Sequence, residues 1–300
     1  MKFSVVTTSF NSSRYIDEAV QSALLQREDV DAFEHIVADA NSTDGTLQVL
    51  EQYPHLVVDS RPDLGIYDGM NRAISMATGD IVVILNSDDT LLPGALRNAQ
   101  MAFEACDADV VSGGFEVISD LGGTAPKTFL SRTPPTYLSL LFGIPAINAS
   151  FFRRDVFKRV GAFDLSLGLA ADRAWLIRAL NCGLHFENSG HLFYRYRQHS
   201  GSATLSGEQK KRRLIHQQHI EMANVLSFEF LENASLKASL RTFSALERMK
   251  LANTYIEWNE PGDRSFRDYV TLSAASLAHP LSLLSGLWEW WRYRGRYSSH

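Results

Sequence analysis

The chain has 300 residues, of which 45% are hydrophobic and 21% charged, and a formal net charge of −5. This is the composition of a soluble globular protein with room for one large domain, or one domain plus an appendage. No run approaches the roughly 18 consecutive apolar residues of a membrane-spanning helix, and the charge balance gives no argument for nucleic acid as a partner.

The strand signals come first. Phe3 to Thr8 predict a strand, Ser9 to Ser13 a polar loop, and Tyr15 to Leu25 a helix with Ile16, Ala19, Val20, Ala23 and Leu24 on one face. His35 to Ala38 predict a second strand ending at Asp39, with helix over Thr46 to Gln52; Leu56 to Asp59 predict a third strand, with helix over Tyr67 to Met76. Ile81 to Leu85, five apolar residues, predict a strand covered on both faces. Pro93 to Ala105 then predict helix and Ala108 to Ser112 strand. Strands alternating with helices at this spacing imply an α/β architecture with a parallel sheet and right-handed crossovers. From Phe115 to Ser150 the alternation fails, in a proline-bearing mixture of strand and loop suited to an acceptor-side subdomain. Further on, Phe151 to Arg154 predict strand, Asp155 to Val160 and Ala170 to Leu180 helix, and Leu192 to Tyr196 strand before a Gln198-to-Ser202 loop.

Beyond Ser206 the periodicity is wholly helical, over 208–232, 234–258, 265–278 and 281–294, so a domain boundary is expected near 205, dividing 1–205 from 206–300. Residues 1–205 carry 16 basic and 24 acidic side chains, residues 206–300 carry 13 and 10. The last segment, from Leu281 to Trp291 and on through Arg292, Arg294 and Arg296, combines aliphatics, tryptophans and a basic end. It suits either an anionic membrane interface or packing within the protein or a homo-oligomer. Cys106 and Cys182, without metal-type spacing, are expected to be buried small residues in a reducing compartment. Met1 to Thr8 lead straight into strand with no apolar leader, so the expected location is cytoplasmic, with peripheral attachment to the inner face of the membrane if the tail binds lipid.

The Ile81 strand ends in Asn86-Ser87-Asp88-Asp89. In an open α/β sheet, ligands collect beyond the carboxyl ends of the strands, and adjacent carboxylates there suit an oxygen-preferring cation such as Mg²⁺ or Mn²⁺. The same residues also fit a polar loop capping the helix that Pro93 begins.

Taken together, Ser4-Val-Val-Thr-Thr-Ser-Phe-Asn11, Asp39-Ala-Asn-Ser-Thr-Asp-Gly-Thr46, Asp63-Leu-Gly-Ile-Tyr-Asp-Gly-Met-Asn71, Ala77-Thr-Gly-Asp80 with Asn86-Ser-Asp-Asp89, Gly161-Ala-Phe-Asp164 and Ala171-Asp172 resemble the family 2 glycosyltransferases with the GT-A fold. The resemblance covers about residues 3–204 and implies a Rossmann-like, mainly parallel sheet flanked by helices, here with a C-terminal helical extension. It implies that Thr7, Thr8 and Asn11 line a nucleotide pocket, that Asp39 accepts a hydrogen bond from the base, and that Arg61, Asp63, Asn71, Asn86 and Ser87 also belong to the donor site. Asp88 matches the last acid of the family's Asp-x-Asp cation site, with Asp89 and His199 as further metal candidates; the first acid of that motif is replaced by Asn86. Asp172 matches the catalytic base, with Ala171 where a partner acid is common, and Ile147-Asn148 stand where a His-Gln pair is common.

The expected activity is an inverting, metal-dependent glycosyl transfer. A nucleotide-diphosphate sugar, UDP more than GDP, would donate to a hydroxyl of a saccharide or lipid-linked acceptor in bacterial surface polysaccharide assembly. Two other classes compete: a silent sugar-nucleotide-binding scaffold, and a nucleotidyltransferase, which would want a glycine-rich basic loop where Thr8 to Ser13 stand.

Overall fold

A computed structural model describes residues 1–121, 125–130, 133–144, 146–202 and 209–256. The helices expected at 265–278 and 281–294, with the tryptophan-rich segment, lie outside the described residues. The chain forms two compact units. Met1–Pro135, Ala146–Leu165 and Arg178–His199 make the first, while Thr136–Pro145, Ser166–Ile177 and the chain from Ser200 onward make the second.

In the first unit β1 (Lys2–Ser9), α1 (Ile16–Leu24), β2 (Ala32–Asp39), α2 (Thr46–Leu50), β3 (Leu56–Ser60), α3 (Ile66–Met76) and β4 (Ile81–Asn86) alternate as the apolar periodicity predicts. Alternate residues of β1 and β4 (Phe3, Val5, Ile81, Val83, Leu85) pack with Ala19 and Ala23 of α1 and with Ala95, Leu96, Ala99 and Phe103 of α4 (Ala95–Ala105). Ile16 and Val20 of α1 close a smaller cluster with Val37 and Leu50. The remaining elements are β5 (Thr90–Leu91), β6 (Val110–Ser119), β7 (Lys127–Phe129), β8 (Ser150–Arg153), α6 (Val156–Val160) and β9 (Phe186–Gln198). The described strands form one sheet in the order β3-β2-β1-β4-β8-β6-β9-β5, with β7 on β6.

β3, β2, β1 and β4 are mutually parallel, whereas β8 runs antiparallel to both β4 and β6. Strand order reverses on either side of β1, so a crevice is expected beyond the carboxyl ends of β1 and β4. Register brings those ends level, with Thr8 opposite Asn86, Ser9 opposite Asp39 and Asp39 opposite Ser60.

Three sequence expectations need correction. The helix expected from Pro93 begins at Ala95, behind Gly94 at φ +76°, because Thr90–Leu91 first pairs with β9 as a strand. The acidic loop therefore does not cap that helix. β6 and β9 are also much longer than expected: they run parallel through register shifts around Gly114, which hid the polar stretch from Glu187 to Gly190 from a period-two reading. Gly113 is required there, since a Cβ would lie 2.4 Å from the Phe193 ring. Finally, Cys106 is half-buried and Cys182 exposed, not core residues. Cys182 sits in the turn that ends α7 (Ala171–Asn181), next to Gly183 at φ +71°.

The second unit contains α5 (Tyr137–Phe142), the start of α7, α8 (Gln209–Glu229) and α9 (Ala234–Ile256). α5 begins at Thr136, whose side chain and that of Ser139 satisfy each other's backbone N–H groups in a capping box. α8 and α9 are joined by a short link; Asn233 accepts from the Leu236 N–H to start α9, and Met222, Ala223, Leu226, Leu236, Leu240 and Phe243 are buried. Arg173 donates to the carbonyls of Leu141 and Gly143 at the end of α5, a favourable place for a cation, and its guanidinium lies 5.5 Å from the Phe243 ring centre. These ties explain why 136–145 and 166–177 join the helices after Ser200.

Candidate active site

The loops beyond β1, β2 and β4 are knitted together by side chains. Asn11, at φ +49°, receives the Thr43 N–H on its Oδ1 at 2.9 Å and donates its own N–H to Ser42 Oγ at 2.8 Å. Asparagine tolerates this left-handed backbone better than most residues. The Oγ atoms of Ser12 and Ser87 are 2.8 Å apart, joining the first loop to the β4 loop. Thr8 lies beside α3, where a Cβ on Gly69 would come within 3.2 Å of it and 3.0 Å of Asp63.

The two adjacent acids have opposite environments. Asp88 keeps a side-chain exposure of 30%, with Oδ2 3.0 Å from Nε2 of His199. The His199 ring leans on Tyr15, with centroids 4.8 Å apart. Asp89 is turned inward and is only 4% exposed. Its Oδ2 accepts from Tyr194 Oη at 2.9 Å and Asn86 Nδ2 at 3.0 Å, and its Oδ1 from the Arg197 N–H at 2.8 Å. Burial, and then the neighbouring Asp88 charge, push the Asp89 carboxyl up to about 7, against the pull of those donors. Asp89, expected as a second metal ligand, is therefore the internal brace of the loop, and Asn86 spends its amide on that brace.

Arg197 completes the frame. Its Nε donates to the Asp88 carbonyl at 3.1 Å, its Nη1 to Asp120 at 3.1 Å, and Nη2 pairs with Glu18. Asp120 also accepts from Tyr15 Oη at 2.9 Å. Burial, followed by that hydrogen bond, raises the Tyr15 phenol.

Several other expected donor residues are committed to the scaffold. Thr7 is fully buried, with Oγ1 2.9 Å from Nε2 of His35. Asp39 is fully buried too, accepting from the Ser42 N–H at 2.9 Å and Ser60 Oγ at 2.7 Å, so it closes the β2–α2 turn. Asn71 donates to the Phe163 carbonyl at 2.9 Å and accepts the Phe163 N–H at 2.8 Å, pinning α3 to the 163 segment. Asp63 accepts the Gly65 N–H at 2.9 Å, and Arg61 is exposed, 3.2 Å from Asp59. Asp172 lies in the first turn of α7, half-buried, in the second unit, and its Oδ1 accepts the Arg173 N–H at 2.6 Å.

What the structure gathers at the carboxyl edge is thus Asn11, Ser12, Ser87, Asp88 and His199, framed by Arg197 and Tyr194. The last two were missed in the sequence, where the only signal was the Tyr194-Arg195-Tyr196-Arg197 run leading into His199.

An oxygen and an imidazole nitrogen side by side, both partly open, form a donor set that fits Mn²⁺ better than the all-oxygen surroundings Mg²⁺ prefers.

The mainly parallel sheet of this order, flanked by helices, is the GT-A fold, and solved structures share it. The first 349 residues of TarS from Staphylococcus aureus, in complex with UDP-GlcNAc, superimpose with a TM-score of 0.60 at 21% identity, covering 91% of this chain and 79% of that one. The mannosyltransferase PcManGT from Pyrobaculum calidifontis, in complex with GDP-Man and Mn²⁺, superimposes at 0.55 and 17% identity, covering 96% and 87%. In sequence, the glycosyl transferase family 2 model matches residues 4–161, just over half of the chain. The chain belongs to that family and is a glycosyltransferase. It is 30% identical over 179 residues to an uncharacterized glycosyltransferase of Mycobacterium tuberculosis, covering 59% of this chain and 68% of that protein. It is also 30% identical over 140 residues to the poly(ribitol-phosphate) beta-N-acetylglucosaminyltransferase TarS, a match to 45% of this chain and only 24% of TarS.

Proposed function

We propose that the protein transfers a sugar from a nucleotide-diphosphate donor, UDP-linked rather than GDP-linked, to a hydroxyl of a saccharide or lipid-linked acceptor, with inversion at the anomeric carbon. The observation that carries this reading is the pairing of Asp88 with His199 at the level where the β1 and β4 loops end, supported by the complexes with UDP-GlcNAc and GDP-Man in proteins of the same fold.

Asp88 and His199 would hold the divalent cation, Mn²⁺ or Mg²⁺, whose chemistry when bound is to neutralise the departing diphosphate. Asn11, Ser12 and Ser87 present hydroxyl and amide groups to the nucleotide side. Arg197 keeps the Asp88 backbone in place, so that the carboxylate need not reorganise as charge develops. Asp172, at a helix start where an anion is favoured, takes the proton of the attacking hydroxyl. Bacterial surface polysaccharide is the acceptor class we favour, with the poly(ribitol-phosphate) beta-N-acetylglucosaminyltransferase activity of TarS as support. Attachment to a membrane, or self-association, would fall to the helical region 206–300.

The test is nucleoside-diphosphate release from a panel of UDP- and GDP-sugars with Mn²⁺, comparing wild type with Asp88→Ala and Asp172→Asn. Metal-dependent release that both substitutions abolish is expected. Unchanged turnover in both variants would remove these residues from the mechanism, and tight donor binding without turnover in the wild type would favour a sugar-nucleotide-binding scaffold.

A further inference from the structure

Away from the sheet, a second set of ligating side chains converges in the helical unit. His216 and His219 are one turn apart on α8, and their Nδ1 atoms lie 2.7 and 3.0 Å from the same oxygen, Oε2 of Glu247 on α9. The spacing of three puts both imidazoles on one helix face. All three ligating atoms fall within 4.8 Å of one another.

The surroundings suit an ion bound from one side. The Glu247 side chain is 2% exposed and forms the floor, while those of His216 and His219 keep 19% and 15% exposure, which leaves a wet side for a further ligand. Lys250 Nζ takes the other carboxylate oxygen, Oε1, at 2.6 Å. An outer partner on one oxygen fixes the carboxylate and leaves Oε2 for coordination. Burial lowers the His219 pKa, with Glu247 opposing; hydrogen bonds from both histidines hold Glu247 well below the usual carboxylate range even though its burial opposes this. A neutral imidazole and an ionised carboxylate are the forms that ligate.

Two cations face the group, Lys250 from α9 and Arg173 from α7, the latter close enough to His219 to lower its pKa further. They oppose an ion held by charge alone, as Mg²⁺ or Ca²⁺ would be. Nitrogen donors bind Zn²⁺ and its neighbours in the first transition row with a covalent component that those ions lack.

We infer that His216, His219 and Glu247 form a zinc-class metal site that clasps α8 to α9. The site uses none of the residues assigned to sugar transfer. Three protein ligands leave a fourth position for water, the usual count for an open tetrahedral zinc site. Because the ligands come from two helices joined by a short link, the ion would add a crosslink of known chemistry to a helix pair otherwise held by apolar packing and by the bonds of Gln209 and Arg213 to the Thr254 carbonyl.

The full-length Asp88→Ala protein, in which the proposed donor cation site is removed, is stripped with chelator and titrated with Co²⁺ and then Zn²⁺. One equivalent of Co²⁺ should give the visible absorption of a four-coordinate centre, and Zn²⁺ should displace it and raise Tm. Adding His216→Ala or His219→Gln should weaken binding at least about tenfold and abolish both signals. Absence of the spectrum, or a spectrum unchanged in both histidine variants, overturns the site. Should a variant fail to fold, the imidazole ¹⁵N resonances of the wild-type chain decide: Zn²⁺ must move the signals of two histidines through Nδ1, and no shift refutes the inference.

Discussion

Two carboxylate–imidazole groups of nearly the same spacing sit in two different settings. Asp88 and His199, 3.0 Å apart, stand on irregular backbone past the ends of β4 and β9, and the Asp88 side chain keeps 30% of its exposure. Glu247, 2.7 and 3.0 Å from His216 and His219, stands on regular helix with almost no exposure. Distance alone therefore does not separate the group proposed to meet a diphosphate from the one proposed to hold an ion between two helices. What separates them is how much of the carboxylate's hydrogen-bonding capacity the protein has already used. Asp89 shows the same contrast within one loop: adjacent to Asp88, it has spent both oxygens on Asn86, Tyr194 and Arg197.

A fourth imidazole, bonded to a threonine, breaks the comparison most sharply. His35 is fully buried, bonded through Nε2 to Thr7, and its Nδ1 has no hydrogen-bond partner among the described residues. Burial first, and then the His55 charge, lower its pKa to about 3. The unfolded chain binds this proton near pH 6.5 and the folded chain does not until about pH 3. The stability it contributes is therefore complete above pH 6.5 and is lost as pH falls through that window, by about 5 kcal/mol at its acid end. Urea unfolding across pH should show a shallower acid decline in His35→Gln; parallel curves would sink the assignment.

Next in size are the activity losses. Asp172→Asn should lower kcat about 10³-fold, roughly 4 kcal/mol, with donor affinity little changed. Asp88→Ala should cost about as much and should also remove the Mn²⁺ dependence of turnover. A weakened donor Kd with intact kcat in Asp172→Asn would move that residue out of the chemistry.

The helical group predicts the reverse pattern. Glu247→Ala should destabilise by about 3 kcal/mol, because it leaves His216, His219 and Lys250 facing each other without an anion, yet refolded protein should keep its transfer rate. A large loss of kcat at full occupancy of the folded state would contradict that separation. Smallest of all, Tyr194→Phe removes the hydroxyl shared by Asp89 and the Asn86 N–H and should cost about 1–2 kcal/mol in chemical denaturation.

Much of this was legible in the sequence. The alternation through residue 105 and the two helices described between 209 and 256 follow from local periodicity, and six motifs in order brought the family. What stayed hidden depends on partners far away in the chain. Motif position singles out Asp88, but the inward turn of Asp89 is made by Tyr194 and Arg197, more than a hundred residues on. Asp39 and Asn71 carry the right motif letters, yet their side chains close the scaffold here, on Ser42 and Ser60 in one case and Phe163 in the other. The strands β6 and β9 escaped because an irregular parallel register tolerates polar residues that a half-buried strand would not. His216 and His219 were visible as a helical pair, but Glu247 lies 31 and 28 residues away and could not be matched to them by spacing.

The ties from β9 to the loop after β4 also bear on biosynthesis. The Arg197 backbone and side chain and the His199 ring reach back across separations of 108, 109 and 111 residues to Asp88 and Asp89. A ribosome-bound chain that has not yet released residue 199 can pair β1 to β4 but cannot shape its acidic loop. The corner proposed to bind the cation thus matures late, after the strands that carry it, and a fragment ending before Phe186 should form the first βα units yet hold no tight nucleotide site.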